Sequence, residues 1–161
     1  MKPLWENYFN KNKTHNPVIL SLKTIPIFED LTSNEFEEIS RLVHKRNYKK
    51  GEIIFKKNSP GEGMYIILSG SVNIIDPDSE TVFASLSSNN FFGEMALLDE
   101  EPRSAQAIAT SPSDLIGFFR TDMKSLISRF PDMGNKILLN LSQVLAERLR
   151  EANILLQEKT D

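Results

Sequence analysis

One stretch of the chain combines a glycine, an acid and an arginine in an order suited to holding an anion beside a hydroxyl: Phe91-Phe92-Gly93-Glu94-Met95-Ala96-Leu97-Leu98-Asp99-Glu100-Glu101-Pro102-Arg103-Ser104-Ala105. Gly93 lets the backbone come close to a ligand. The amides of a short turn over Glu94, Met95 and Ala96 then point at an anion along a helix dipole. Arg103, nine positions after Glu94, carries a planar fork of donors matched to phosphate oxygens. Glu94 repels a phosphate unless a hydroxyl or an arginine stands between them. A ribose cyclic phosphate offers the anion and the hydroxyl together. Taken one at a time the same residues have plainer readings, with Arg103 as a surface ion-pair partner of Glu100 or Glu101 and Glu94 as a helix N-terminal acid. The joint spacing of Gly93, Glu94, Pro102, Arg103 and Ser104 favours the site.

The other reactive side chains form no catalytic or metal-binding set. His15 and His44 stand apart from each other and read as surface or boundary residues, and two histidines do not furnish the clustered ligands a metal-dependent enzyme requires. There is no cysteine, which removes thiolate zinc sites, disulfides and thiol nucleophiles and suits a reducing compartment. No Gly-x-x-x-x-Gly-Lys-Ser/Thr loop or nucleophile elbow occurs. The chain is expected to bind and not to catalyse, with no metal and no cofactor. A net charge of −3 argues against nonspecific nucleic-acid binding, which relies on clustered Lys and Arg. The N-terminus lacks the apolar run of a secretion signal, and no stretch approaches the ~18 apolar residues of a membrane span. A cytoplasmic location is expected.

The surrounding segments must hold this loop. Residues 1–17 are polar and read as a tail or loose first helix, ahead of one domain over residues 18–158. A short helix is expected over residues 18–24. Thr32-x-x-Glu35 is a capping box opening a helix to about residue 45, with Phe36, Ile39, Leu42 and Val43 as its apolar stripe. From Tyr48 the period changes to short β-branched or aromatic runs at 53–55, 64–68, 72–75, 82–86, 104–109 and 114–119, separated by turns rich in Asn, Ser, Pro and Gly. Strands this short and evenly spaced predict an antiparallel β-roll of jelly-roll type. Helical period returns over residues 122–129, and Pro131 opens a long helix to about residue 157. The fold class is α+β: a roll flanked by N-terminal helices and a long C-terminal helix. That helix exceeds what covering the roll requires, so its apolar set from Ile137 to Leu156 is expected to pair with a second copy, although Arg148 interrupts the seam.

Phe-Gly-Glu-Met-Ala-Leu, four residues, then Pro-Arg-Ser-Ala resembles the phosphate-binding cassette of the cyclic-nucleotide-binding domain family, which includes the catabolite activator proteins and the regulatory subunits of cAMP-dependent kinase. Residues 48–55, the Ser59-Pro60-Gly61-Glu62 turn and residues 65–72 are similar to the family's opening strands and hairpin, and residues 141–149 to the activators' dimerising helix. The resemblance implies that Glu94 binds the ribose 2′-hydroxyl and Arg103 the cyclic phosphate. Amides near Gly93, Met95 and Ala96 complete the cradle, Ser104 touches phosphate or base, and Ala152 and Asn153 fall where the long helix caps the base. It implies a sensor of cAMP or cGMP that signals by reorienting its C-terminal helix to an unspecified partner protein, and a homodimer through that helix. The chain ends soon after the long helix without a helix-turn-helix, so DNA is not an expected partner. A module of the same fold that binds no nucleotide is the alternative. With Glu94 and Arg103 on a loop facing the ligand, their loss is expected to cost the fold little.

Overall fold

A computed structural model describes residues 16–160; the expected N-terminal tail, with His15, lies outside them except for its last residues. Asn16 caps the first helix, α1 (Pro17–Leu22), by accepting the Val18 N–H. A 3-10 turn follows at Pro26–Phe28, and then α2 (Ser33–Leu42). The capping box is present: Thr32 Oγ1 accepts from the Glu35 N–H at 3.2 Å, and Glu35 Oε2 accepts from the Thr32 N–H at 2.8 Å. Eight strands succeed it: β1 (His44–Tyr48), β2 (Ile53–Phe55), β3 (Gly63–Ser69), β4 (Ser71–Asp76), β5 (Thr81–Ser87), β6 (Phe91–Phe92), β7 (Gln106–Ala109) and β8 (Ser113–Phe119). The chain then enters α3 (Arg120–Arg129) and α4 (Pro131–Glu158).

The strands form two antiparallel sheets, ordered β1-β8-β3-β6 and β2-β7-β4-β5, which close into the expected roll. Alternation along β3 explains the two cores. Tyr65 and Ile67 point into the roll, where they meet Val72, Phe92, Ala107 and Leu115. Met64 and Ile66 face outward with Ile116 and Phe118 of β8, against helix residues including Leu22, Phe28, Met123, Leu126, Ile137 and Leu141. Both faces of β3 are therefore covered, so it reads as one unbroken apolar run. Burying each such Leu, Ile or Phe contributes roughly 1.5–3 kcal/mol, which makes the helices part of the fold and not attachments to it.

Two expectations need correction. The helix placed up to about residue 45 stops at Leu42, because His44 to Tyr48 pair with β8 from Gly117 to Ser113. Lys45, Arg46 and Asn47 are exposed on that edge strand and carry no apolar alternation to announce it. Phe91 and Phe92, read as the start of the cassette loop, are a two-residue strand on Ile66 and Tyr65.

The long helix is anchored at its start and bare at its end. Ile137 and Leu141 are fully buried and Val144 nearly so, whereas Leu149, Leu155 and Leu156 are exposed. Asn140 Nδ2 donates to the carbonyls of Ile27 and Glu29, and Lys136 donates to the Glu35 carboxylate, so the first half of α4 is tied to the N-terminal elements. Burial acts to raise the Glu35 carboxyl, but the bonds from Lys136 and Thr32 outweigh it and hold it below its ordinary value of 4.5. A carboxyl lowered by folding adds stability that is complete above its ordinary value and is lost as pH falls through the folded one. Glu35→Gln is thus expected to lower Tm at neutral pH and to converge on wild type in acid, as pH falls through the lowered folded value, in melts recorded across pH. A gap in Tm that persists in acid would show that the carboxylate's charge is not what Glu35 contributes.

Candidate functional site

Gly93 ends β6 in the left-handed region (φ 78°). A side chain there would be strained by that conformation, and its Cβ would stand 2.7 Å from Arg103 Nη1 and 3.2 Å from the Gly63 carbonyl oxygen. That turn starts a one-turn 3-10 helix, Glu94–Leu97. A helix of this kind leaves its first amides without an internal acceptor, here those of Glu94 and Met95. The Ala96 N–H donates to the Gly93 carbonyl at 3.2 Å, closing the turn. Met95 is mostly exposed, and Ala96 is buried beneath the turn.

Arg103 is held on the far side by its own backbone. Its N–H donates to the Ser59 carbonyl and its carbonyl accepts from the Asn58 N–H, both at 2.8 Å, beside a bridge between Pro60 and Pro102. The side chain runs inward. Nη2 donates to the Gly63 carbonyl at 2.6 Å, Nη1 to the Gly93 carbonyl at 3.3 Å, and the guanidinium lies 4.1 Å from the centre of the Phe55 ring. Arg103 is 8% exposed and Glu94 3%. This overturns both the surface ion-pair reading of Arg103 and the picture of two loop residues whose loss the fold would barely feel. It is Arg120, and not Arg103, that approaches Glu100, at 3.6 Å.

Among the described residues Arg103 Nε is the one buried side-chain N or O atom without a hydrogen-bond partner. Burial also pushes the guanidinium below its ordinary value, meaning that its charge is poorly compensated where it stands. A cleft of about 340 Å³ opens beside it, lined by Ile53, Ile54, Phe55, Lys56, Ser59, Pro60, Glu62, Tyr65 and Arg103. Burial likewise raises the phenols of Tyr65, which lines the cleft, and of Tyr48, so both stay protonated across ordinary pH. An anion reaching this guanidinium meets a desolvated, partly unbonded cation, where charge-assisted hydrogen bonds are strong.

Glu94 does not line that cleft. It turns toward α4, where Arg148 Nη1 donates to its Oε1 and the Arg148 guanidinium lies 5.0 Å from the Phe91 ring centre. Arg148 interrupts the apolar seam of the helix in sequence; in three dimensions it reaches the cassette carboxylate. A charged residue breaking an otherwise apolar helix face was the available signal. Ala152 lies one helical turn beyond Arg148 on the same face, with Asn153 next to it, and both are exposed. Ser104, directly after Arg103, is exposed. The structure thus brings Gly93, Glu94, Met95 and Arg103 together, places Ser104 at their edge, and leaves Ala152 and Asn153 on a bare stretch of helix. His44, expected at a boundary, is half-buried and pairs with Asp122 at 3.1 Å, away from the site.

A model of the cyclic nucleotide-binding domain matches residues 45–130. The chain is 36% identical over 136 residues to the cyclic AMP receptor protein of Thermus thermophilus, covering 83% of this chain and 61% of that protein. It is 34% identical over 113 residues to a cyclic nucleotide-gated potassium channel of Rhizobium etli, covering 70% of this chain and 31% of the channel. The chain therefore spans less than two thirds of these relatives. Among solved structures, the catabolite activator protein of Thermus thermophilus superposes with a TM-score of 0.75 at 34% identity, over 84% of this chain and 63% of that one. A cyclic nucleotide-binding domain from Methylobacillus flagellatus superposes with a TM-score of 0.76 at 26% identity, over 92% and 84%. The family is a binding and regulatory one. No helix among the described residues is long and apolar enough to cross a membrane. With the domain model matched over residues 45–130, a relative at 36% identity and a roll that superposes on a catabolite activator protein, the chain belongs to the cyclic nucleotide-binding domain family.

Proposed function

We propose that this chain is a cyclic-nucleotide sensor in which Arg103 binds the cyclic phosphate of cAMP or cGMP and Glu94 accepts from the ribose 2′-hydroxyl. The observation that carries this reading is the buried Arg103 guanidinium with an unpartnered Nε, set across the Gly93 turn from an equally buried carboxylate. The Glu94 and Met95 amides lie at the start of the intervening 3-10 helix, where an anion is favoured. The exposed Ser104 supplies a hydroxyl to phosphate or base, and Ala152 and Asn153 on α4 cover the base. Arg148 makes the readout, since a ligand that engages Glu94 changes what the last turns of α4 hold on to. Only a ligand with different affinities for two arrangements of α4 transmits a signal. The exposed Leu149, Ile154, Leu155 and Leu156 favour pairing of α4 with the same helix of a second copy.

Calorimetric titration with cAMP, cGMP, 2′-deoxy-cAMP and a cyclic dinucleotide tests the reading. One of the two 3′,5′-cyclic ribonucleotides is expected to bind, the deoxy analogue more weakly through loss of the Glu94 contact, and the cyclic dinucleotide not at all. Absence of binding by both cAMP and cGMP would favour a same-fold interaction module that uses no nucleotide.

A further inference from the structure

We infer that Arg120 is a positioning residue that fixes the cassette to the junction between the roll and the signalling helices, an assignment that rests on the binding role proposed above. Arg120 is the first residue of α3, directly after β8, and its backbone N–H donates to the Glu62 carbonyl at 2.8 Å. Its side chain is 16% exposed and turns back toward the site. Nη1 lies within hydrogen-bond distance of three carbonyls: Gly61 at 2.9 Å, Ala96 at 2.9 Å and Asp99 at 2.7 Å. These come from the Pro60-Gly61 turn, the 3-10 helix of the cassette and the turn that follows it. One guanidinium nitrogen therefore gathers three separate segments. The Glu100 carboxylate adds little at 3.6 Å, being 80% exposed.

The placement suits a cation. Ala96 and Asp99 carbonyls lie toward the C-terminal, negative end of the cassette helix, where an arginine bonding the last carbonyls is favoured. The first amides of that same helix are those offered to the ligand, so holding one end of a single turn fixes the other. Gly61 is pressed against the same turn: a Cβ there would stand 3.0 Å from Ala96 Cβ and 3.7 Å from Arg103 Nε. Arg120 thereby sets the spacing between the amides of Glu94 and Met95 and the Arg103 fork without touching ligand. Since α3 begins at Arg120, a shift of the cassette is delivered directly to the start of α3 and, across Phe130, to α4.

The test uses the full chain as Arg120→Met, Arg120→Lys and wild type, with Ile39→Val as a stability control, since Ile39 is fully buried in α2, outside the cassette. Arg120→Met is expected to lose about tenfold or more in affinity for whichever cyclic nucleotide wild type binds, and Arg120→Lys to recover most of it. Ile39→Val, destabilised to a comparable Tm, is expected to keep wild-type affinity. Residue-resolved hydrogen exchange of the free proteins supplies a readout that needs no ligand. In Arg120→Met the Ala96 and Leu98 amides are expected to exchange faster while those of Ile66 and Ile116 keep their protection. Unchanged exchange in the cassette, or an affinity loss shared equally by Ile39→Val, would overturn the assignment. A wild type that binds no cyclic nucleotide would instead overturn the function proposed above, and the cassette exchange would then decide the role of Arg120 alone.

Discussion

Arg103→Ala is expected to abolish usable affinity for a cyclic nucleotide, by very roughly 30- to 4,000-fold. That range follows from truncating one partner of a desolvated, charge-assisted pair at ~2–5 kcal/mol. The same substitution is also expected to lower Tm, because Arg103 is buried, bonded to the carbonyls of Gly63 and Gly93, and stacked on Phe55. The stability loss is limited by what is removed with it, namely a buried charge with one N–H unbonded. Arg103→Met separates the two effects: it keeps an apolar stem over Phe55 while removing every donor, so it is expected to recover part of the Tm and none of the affinity. Arg103→Lys keeps the charge but not the fork that spans two carbonyls, and much of the affinity is expected to go with it. Calorimetric titration beside thermal melts reads both quantities. If Arg103→Ala bound within threefold of wild type, the phosphate would have to sit elsewhere.

Arg148→Ala is the second large effect, and its sign turns on how Glu94 is shared. If Arg148 simply occupied the carboxylate, its removal would free Glu94 for the ribose and tighten binding. A carboxylate accepts about four hydrogen bonds, however, so an arginine and a hydroxyl fit together. Without Arg148, Glu94 would be a buried anion close to the ligand's phosphate with no counter-charge beside it. Weaker binding is therefore expected. Hydrogen bonds to charged groups contribute about 1.5–3 kcal/mol, which corresponds to about 10- to 150-fold in affinity. The full penalty of a broken buried pair is not reached, because Arg148 is half exposed and the end of α4 can lift to admit water. Faster hydrogen exchange over the last turns of α4 is expected in the same variant. A double-mutant cycle with Glu94→Gln isolates the pair, with an expected coupling of about 1–3 kcal/mol. Tighter binding in Arg148→Ala would show competition for Glu94 in place of support.

What the sequence alone determined is local in origin. The Gly93-Glu94 turn, the capping box of Thr32 and Glu35 and the Pro131 helix start each depend on residues within a few positions of one another, so their chemistry is written in spacing. The roll was legible because strand and turn residues alternate at short intervals, and α4 because its apolar period runs on past the roll. Tertiary structure decided the rest. Lys45, Arg46 and Asn47 become strand only because β8 offers an open edge, and no pattern of their own requires it. The pairing of Arg148 with Glu94 joins residues 54 positions apart, and helical periodicity alone marks Arg148 merely as polar. Spacing marks Arg103 as an anion ligand but not as buried until the chain folds Gly63 and Phe55 around it, and nothing near Arg120 in sequence announces the three distant carbonyls that converge on it. The physical reason is common to all four. Propensity and periodicity report how a segment meets its immediate neighbours, whereas a partner brought from far along the chain is set by how β3, β8 and α4 pack, and that packing alone places a buried charge beside its acceptor.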